Sequence, residues 1–413
     1  MNPRTVFMRY MGWCPGVAAA AKFVPDRDIS LKVMAISSTI FLLALIVFVL
    51  FAYSTWIPEN VEGPIGELPV EWVRYFSKSD YASGECIRVT RDGGYIIVGH
   101  DAVRNVKGWV STSVYLLKTS SNGTLLWDET YGNTGWDEGR SVIEVEDGYI
   151  ITGRAYEDLL LMKTDSQGGA IWNKTYGKGF GLSLERAIDG GYVVVGTSGD
   201  DVLLLRTDEE GEVLWSKTYG GEGKQWGLEL QVTREGGYII GGVTGVAPGG
   251  DAKFYVLKTD SRGNVIWSKT IGWSKGDWLY AVLETPEDGV MSIGTGDSAR
   301  GSSTWAVKLD KNGEILWSKT YPGYHGIDAQ RTSDGEYVIL SEIHLSEMHD
   351  DVLLMKIDGD GNLEWSKAYG ETFSIFGSSF QLTEDGGYIV TGYQDFTALD
   401  HNVFLIKIPH LEE

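Results

Sequence analysis

Histidine and carboxylate side chains that could bind a metal ion are unevenly distributed along this 413-residue chain. Five of the six histidines lie in non-repeating stretches between short apolar segments, and acidic residues accompany them. Imidazole nitrogens and carboxylate oxygens together can hold a divalent cation. The candidate ligands are His100, His325, His344, His349, His401, Asp350 and Asp400. Because no fixed-spacing motif such as H-E-x-x-H links them, a second interpretation stays open, in which they are ordinary polar loop residues.

A set of aromatic residues recurs along the chain, and a glycine often follows soon after. Its members are Tyr81, Trp136, Phe180, Trp226, Trp278, Tyr324 and Phe376. Exposed aromatic rings can stack on the faces of sugars, so all of these residues except Phe180 are candidate ligand-binding residues. Their regular recurrence also fits a packing role, because a large ring fills space between elements.

Other motifs with chemical meaning are few. Asn122 and Asn173 each begin an Asn-x-Thr sequence and are candidate glycosylation sites if they face outside the cell. No Ser-His-Asp order, phosphate-binding loop or paired-carboxylate motif stands out, so no catalytic residue is predicted. The sequence favours a protein without enzymatic activity.

The elements that must position these residues are indicated by a recurring tryptophan. It occurs at Trp72, Trp127, Trp172, Trp215, Trp267, Trp317 and Trp365, at intervals of 43 to 55 residues. The surrounding sequence also repeats, as Leu-Trp-Ser-Lys-Thr-Tyr-Gly at 214–220. This interval is the period of a β-propeller blade.

Each repeat predicts four short strands separated by two tight turns. In one copy, strands are expected at 141–146, 149–153, 159–163 and 170–176, and Asp147-Gly148 and Asp165–Gly168 form the turns. Asp and Gly are the residues that hairpin turns prefer. The first turn occurs seven times, which predicts an all-β, seven-bladed propeller of four-stranded antiparallel blades. Longer loops of variable sequence are expected on the opposite face, where binding sites tend to lie.

The two ends of the array predict how the ring closes. The last repeat stops after its third strand at 402–408, and the first Trp strand, 70–76, has no preceding strands. We therefore expect the N-terminal strand to supply the outer strand of the last blade, which would remove the open edges.

The pattern resembles the quinoprotein-like (PQQ-repeat) propellers over about residues 70–408. An apolar third strand, an acidic turn and a Trp-bearing outer strand recur in both, as at 203–215 here. The resemblance implies a propeller; the superfamily includes enzymes and also membrane-associated scaffolds. Its quinone-using enzymes usually have a vicinal cysteine pair and calcium ligands in a larger ring. The repeats contain only Cys86, so no cofactor is predicted apart from the divalent cation considered above.

A membrane anchor is predicted before the repeats. Residues 33–53 carry no charge and are long enough to cross a bilayer. Basic residues precede this segment and acidic residues follow it, which places the N-terminus in the cytoplasm and the repeats outside. The expected organisation is a tail (1–32), a transmembrane helix (33–53), a linker (54–69) and the propeller (70–413). A cleaved signal peptide is the alternative, although the apolar run is longer than usual for one.

The net charge of −22 argues against a nucleic-acid partner, because phosphate binding needs a basic face. The sequence therefore predicts a single-pass, cell-surface propeller that binds or scaffolds a protein or glycan partner. Two alternatives remain open: an extracellular enzyme that acts on glycans or another small substrate at the channel, and a structural unit of a surface layer.

Overall fold

The computed structural model describes residues 59–60, 65–79, 81–104, 110–132, 135–221, 223–245, 251–272, 276–298, 301–346, 349–370, 373–397 and 400–411. Within these ranges all regular secondary structure is strand. None of the residues so described belongs to a helix that could cross a membrane. The predicted tail (1–32) and transmembrane helix (33–53) lie outside the described residues.

The strands in chain order are β1 (Glu59–Asn60), β2 (Ile65–Glu67), β3 (Trp72–Phe76), β4 (Tyr81–Val89), β5 (Tyr95–Arg104), β6 (Val110–Thr119), β7 (Leu125–Tyr131), β8 (Asp137–Val145), β9 (Gly148–Ala155), β10 (Asp158–Asp165), β11 (Ala170–Lys178), β12 (Phe180–Arg186), β13 (Tyr192–Ser198), β14 (Asp201–Thr207), β15 (Val213–Tyr219), β16 (Gln225–Val232), β17 (Tyr238–Thr244), β18 (Lys253–Thr259), β19 (Val265–Ile271), β20 (Trp278–Glu284), β21 (Val290–Ser298), β22 (Gly301–Leu309), β23 (Ile315–Tyr321), β24 (His325–Arg331), β25 (Tyr337–Ser346), β26 (His349–Ile357), β27 (Leu363–Tyr369), β28 (Ile375–Leu382), β29 (Tyr388–Thr397) and β30 (Asp400–Ile408).

The described strands form six hydrogen-bonded sheets built from four-stranded antiparallel units. Three sheets are single units, and two more contain a fifth strand, β1 or β2, that pairs in parallel with the unit's last strand. The eight-stranded sheet contains two units, β4–β7 and β28–β30 with β3. A single parallel pair, His401 with Tyr81, joins these two. The all-β, propeller-like architecture is therefore as the sequence predicts.

The turns form as their sequences predict. In the first turn of the first unit, Thr90 N–H donates to the Gly94 carbonyl, and Gly93 N–H donates to the Thr90 carbonyl. Asp92 accepts from the Gly94 N–H at 3.0 Å, and Gly93 has a φ of 76°, which glycine adopts without strain. Asp and Gly thus fix a short loop and, with it, the register of the hairpin.

The core of the protein lies between consecutive units. Second and third strands are buried on both faces, and their apolar side chains pack against those of the next unit; Ile96 and Val98, for example, share a cluster with Val142 and Tyr149. Burying a large aliphatic side chain contributes about 1.5–3 kcal/mol. Each unit therefore depends on its neighbours for its hydrophobic stabilisation.

The repeated Trp and Tyr fasten each unit to the next. The Trp127 ring packs against Tyr149 with centroids 6.0 Å apart, and it also covers Gly168 of the following unit. The Tyr131 hydroxyl donates to the Gly168 carbonyl at 2.5 Å. A Cβ on Gly168 would lie 2.9 Å from the indole, so this turn requires glycine for space as well as for its φ of 84°. The repeated Trp therefore packs between neighbouring units.

The N-terminal strand completes the last unit, as the sequence predicts. β3 pairs antiparallel with β30, from Trp72–Lys407 to Phe76–Val403. Trp72 then packs on Tyr95 of the first unit at 6.2 Å, in the way that other Trp side chains pack on the unit that follows. The first strands of successive units contact one another in order, and β28 contacts β4. Within the stretch predicted as a linker, the structure has β1 and β2.

Candidate functional site: the channel and its mouth

The first strands of the units surround a channel of about 660 Å³. Each of these strands has a register shift soon after its start, such as the one between Gly84 and Cys86. A bulge of this kind adds one residue and redirects its side chain. The inserted residues all line the channel: Glu85, Arg140, Leu182, Leu228, Tyr280, Ile327 and Ser378.

Four charged side chains lie deeper in the channel, and sequence reasoning did not identify them. They are Arg88, Glu185, Glu229 and Asp328, which come from four different first strands. Each interacts electrostatically with at least one of the others. Three carboxyls therefore share the channel with a single guanidinium in this set. A signal was present in the sequence, because each acid or base follows the aromatic start of its strand by a few residues.

The carboxyls in this set have different surroundings. Burial, and after it the charge of the nearby Asp328, raises the pKa of Glu229 to about 8. Asp328 accepts from the Ala329 N–H at 2.7 Å, from the Phe380 N–H at 3.1 Å and from the Ser379 hydroxyl at 3.2 Å, although burial still raises its pKa. A carboxyl that keeps its proton at neutral pH can donate a hydrogen bond or a proton.

The recurring aromatics lie where the first strands begin, at the face that carries the longer loops, hereafter the loop face. Trp226 and Trp278 meet edge to face at 6.1 Å, and Tyr280 stacks on Trp278 at 6.4 Å. Tyr280, which is 36% exposed, also lines the channel, so this cluster joins the loop face to the channel. Burial, together with Glu342, raises the pKa of Tyr280 to about 12.

On another side of the mouth, an ionic network replaces the aromatic cluster. Arg140 bridges Glu85 at 2.7 Å and Glu138 at 3.0 Å, and Arg154 also binds Glu138. Both guanidiniums lie over the Phe180 ring, at 5.1 and 5.0 Å. Burial opposes ionisation of Glu138, but the two arginines prevail and lower its pKa. The network holds the Glu138 carboxylate charged beside an aromatic face.

Trp136 is the most exposed of the predicted aromatics, at 55%, and has the Arg154 guanidinium 5.7 Å from its ring. Phe376 stacks on Tyr393 at 4.7 Å. The mouth therefore offers both accessible rings and rings engaged in packing. A ligand-binding role for any of these rings stays a prediction.

The candidate metal ligands form two groups around two tyrosines. Tyr81 lies 5.6 Å from His100 and 4.1 Å from His401, measured between ring centroids. Tyr324 lies 4.7 Å from His325 and 4.5 Å from His344. These histidines lie on strands, whereas the sequence predicted loops. The second and third strands that carry His100, His344 and His401 extend beyond the core, and His325 begins the first strand β24.

Each of these histidines has a carboxylate of its own. The pairs are His100–Glu85 at 3.5 Å, His401–Asp395 at 3.3 Å, His325–Glu342 at 3.1 Å and His344–Asp350 at 3.3 Å. The His349 carbonyl oxygen lies 3.3 Å from His344 Nδ1, and the backbone of Asp400 pairs with that of Thr397 in the sheet. Over the described ranges, no three His, Cys, Asp or Glu side chains are arranged to hold a metal ion. A divalent-cation site remains a prediction.

Both candidate glycosylation sites are exposed and lie away from the channel. Asn122 lies in the turn between β6 and β7, where its amide oxygen accepts from the Ser120 hydroxyl at 2.6 Å. Asn173 lies in β11, the last strand of its unit. Either asparagine could carry a glycan without disturbing the mouth.

Comparison with known proteins shows the fold and no more. No protein-family model matches the chain, and no curated protein matches it. Among solved structures, BBS1N in complex with ARL6DN has a TM-score of 0.52 and 10% identity, covering 85% of this chain and 99% of that one. A protein of unknown function from Bacteroides caccae has a TM-score of 0.43 and 12% identity, covering 62% and 90%. The first of these supports a propeller-like fold.

Proposed function

We propose that this protein is a cell-surface binding module whose ligand enters the channel mouth on the loop face. Residues 33–53 would anchor it in the membrane, and the four-stranded units would form a closed ring of seven blades outside the cell. The order of contacts among the first strands and the pairing of β3 with β30 support the closed ring. The uncharged segment and its flanking charges support the anchor. The quinoprotein-like resemblance rests on the repeat pattern alone.

The observation that carries the proposal is the aromatic cluster at the mouth. Trp226, Trp278 and Tyr280 present indole and phenol rings beside a channel large enough to hold a small ligand. The carboxylate of Glu342, near Tyr280, and that of Glu85, on another side of the mouth, supply hydrogen-bond acceptors. Aromatic rings can stack on sugar faces, and carboxylates can accept hydrogen bonds from sugar hydroxyls, so this arrangement suits a glycan.

A protein partner is the second candidate for the same binding role. BBS1N, which shares the propeller-like fold, has been crystallised with ARL6DN, so a scaffold of this type can present a protein-binding surface. The Trp136 ring and the Arg154 guanidinium beside it are the side chains on which a protein would bind, because exposed Trp and Arg are frequent in hot spots.

The test uses the full-length protein in detergent, screened on a glycan array and then by calorimetry with any glycan that binds. We expect Trp278→Ala to weaken glycan binding by about tenfold, the cost of losing one stacked ring. Ile188→Ala, at an exposed apolar residue in a turn on the opposite face, is the matched control and should bind as wild type. If no glycan binds and the protein captures a partner that Trp136→Ala no longer captures, the protein partner is favoured. If neither a glycan nor a protein binds, the proposed binding role of the mouth is wrong.

An enzyme that acts on a glycan in the channel is favoured by one observation. Glu229 keeps its proton at neutral pH and lies near Asp328, and acid catalysis needs such a protonated carboxyl. If glycan binding is found, product analysis after incubation decides the matter. Turnover that Glu229→Gln abolishes while binding persists would establish catalysis, and unchanged glycan would exclude it.

A further inference from the structure

The outer edges of the units are covered in some units and open in others. In two units, the last strand pairs in parallel with the segment that precedes β3: β1 lies on β23, and β2 lies on β27. Glu59 pairs with Lys319, and Gly66, seven residues later, pairs with Lys367. The two lysines hold equivalent positions, so the segment covers the same place on two successive units. The structure thus shows that the outer edges of these units can pair with an added strand.

Burial shows what the segment covers. Thr320 in β23 is 6% exposed, and Ala368 in β27 is 3% exposed. Thr218 in β15 and Thr270 in β19 occupy the same place in their strands, yet both are exposed. The difference comes from the added strands, because the four strands have closely similar sequences.

β15 is the counterpart of the covered strand β23. Residues 214–219 and 316–321 have the identical sequence Leu-Trp-Ser-Lys-Thr-Tyr. Lys217 contacts the Asn264 side chain at 2.7 Å, as Lys319 contacts Asn362 at 3.2 Å. Among the described strands, β15 pairs only with β14. Its outer edge therefore offers the backbone groups that β23 uses.

The direction of those groups follows from the covered edge. The Leu68 N–H donates to the Ala368 carbonyl at 2.9 Å, so Ala368 points its carbonyl toward the added segment. The N–H and carbonyl of one strand residue point to the same side, and Thr218 has the equivalent place in β15. The Thr218 N–H and carbonyl thus face outward, and they can pair with an extended chain.

We propose that the edge of β15, continued by that of β19, is a docking site for an extended acidic segment of a partner protein, added as a parallel strand. Charge selects the occupant: the segment on the covered edges places Glu59 opposite Lys319, and Lys217 holds the equivalent position in β15. Lys217 donates to the neutral Asn264 amide and lies 5.9 Å from the centroid of the Trp215 ring; its charge acts on Asp260, but within the described residues it forms no salt bridge, so it can pair with an added acid. This proposal does not depend on the glycan-binding role of the mouth.

Two of the other open edges among the described strands, those of β7 and β11, are less suited to such a segment. β7 has Glu129 where β15 has Lys217, and this carboxylate would repel an acidic chain. β11 has the candidate glycosylation site Asn173 on its exposed edge, where a glycan would obstruct pairing. The charge argument thus favours β15 over β7 and β11. The outer edge of β3 has Arg74 at the place of Lys217, and Lys269 in β19 already binds Glu314 at 3.1 Å.

The experiment measures fluorescence anisotropy of a labelled peptide with the sequence of residues 58–69, titrated with the full-length protein. We expect saturable binding that Thr218→Pro weakens by about tenfold, because proline removes the outward N–H while the pairing with β14 keeps its own bonds. Thr218→Ala keeps that N–H and should bind as wild type. A peptide with its glutamates replaced by glutamine should bind more weakly than the acidic one.

Circular dichroism of each variant establishes that it has folded. If Thr218→Pro does not fold, Lys217→Glu gives the same reading, because it reverses the charge that the acidic peptide needs. The proposal is overturned if the wild-type protein shows no saturable binding, or if both variants bind the peptide as wild type does. It is also overturned if sedimentation shows a dimer that Lys217→Glu dissociates, because the edge would then serve a second copy of this chain.

Discussion

Replacing Glu229 with glutamine should stabilise the protein at neutral and alkaline pH. The amide has the size of the carboxyl and, like its protonated form, carries no charge. In the folded protein, burial and Asp328 hold the pKa of Glu229 at about 8, whereas the unfolded chain has the ordinary value of a glutamate, about 4.3. The wild-type protein must therefore either hold a proton or bury a charge as the pH rises.

The sign and the size follow from linkage. Between about pH 4.3 and 8 the unfolded state loses the Glu229 proton while the folded state keeps it, so the stability of the wild-type protein falls with rising pH across this window. Above about pH 8 both states are ionised and the loss is complete. Each pKa unit corresponds to about 1.4 kcal/mol, which gives a loss of up to about 5 kcal/mol. Partial access of channel water to this carboxyl would reduce the figure to about 3 kcal/mol.

The assay is the apparent melting temperature at pH 5 and pH 9, followed by tryptophan fluorescence. For a domain of this size, 3–5 kcal/mol corresponds to roughly 4–7 °C. We expect Glu229→Gln to exceed the wild-type protein by only about 1–2 °C at pH 5, where about 1 kcal/mol of the loss is already present, and by the full amount at pH 9. Glu210→Gln, at an exposed glutamate in a turn, is the control and should follow the wild-type curve. A wild-type curve parallel to that of Glu229→Gln would refute the buried, protonated carboxyl.

Three further expectations concern the contacts between units and the orientation of the chain. Tyr321→Phe should lower the free energy of unfolding by about 1 kcal/mol, because the hydroxyl donates to the Gly361 carbonyl at 2.8 Å; urea denaturation measures this, and an unchanged midpoint would contradict it. Gly263→Ala should lower the free energy of unfolding by about 1–2 kcal/mol more than Gly177→Ala does in the same assay. Both glycines have a positive φ, but only at Gly263 would an added Cβ lie within 3 Å of other atoms. Equal losses would assign the whole effect to φ. Asn122→Gln should increase the electrophoretic mobility of protein made in a glycosylating host; an unchanged band would show that Asn122 carries no glycan there.

The fold could be predicted from the sequence because its signals are local. Asp92 and Gly93 specify a turn within a few residues, and the turn fixes the hairpin. The repeated Trp127 signals the period, and its packing on the next unit follows from the size of the ring. The pairing of β3 with β30 was predictable because both ends of the array were incomplete.

The candidate site was less accessible to this reasoning, because its parts meet only when the units come together. Arg88, Glu185, Glu229 and Asp328 come from four repeats, and each alone looks like one polar residue in a strand. The aromatic positions could be found, since they recur, but the sequence did not separate stacked rings from exposed ones. Nor did it reveal β1 and β2, whose few residues pair through the backbone and need no side-chain pattern.

The variation among the repeats distinguishes positions that pack the units together from positions that can bind a ligand. The outer strands all repeat the Trp, and most of them also repeat the Lys and the Tyr, because every unit has to make similar contacts with the next. The bulge residues differ in nearly every unit, from Glu85 and Arg140 to Tyr280 and Ser378, although they occupy one position in the fold. A position that packing does not constrain can take up any side chain that the ligand requires. The bulge residues, rather than the repeated tryptophan, are therefore where a change should alter binding without altering the fold.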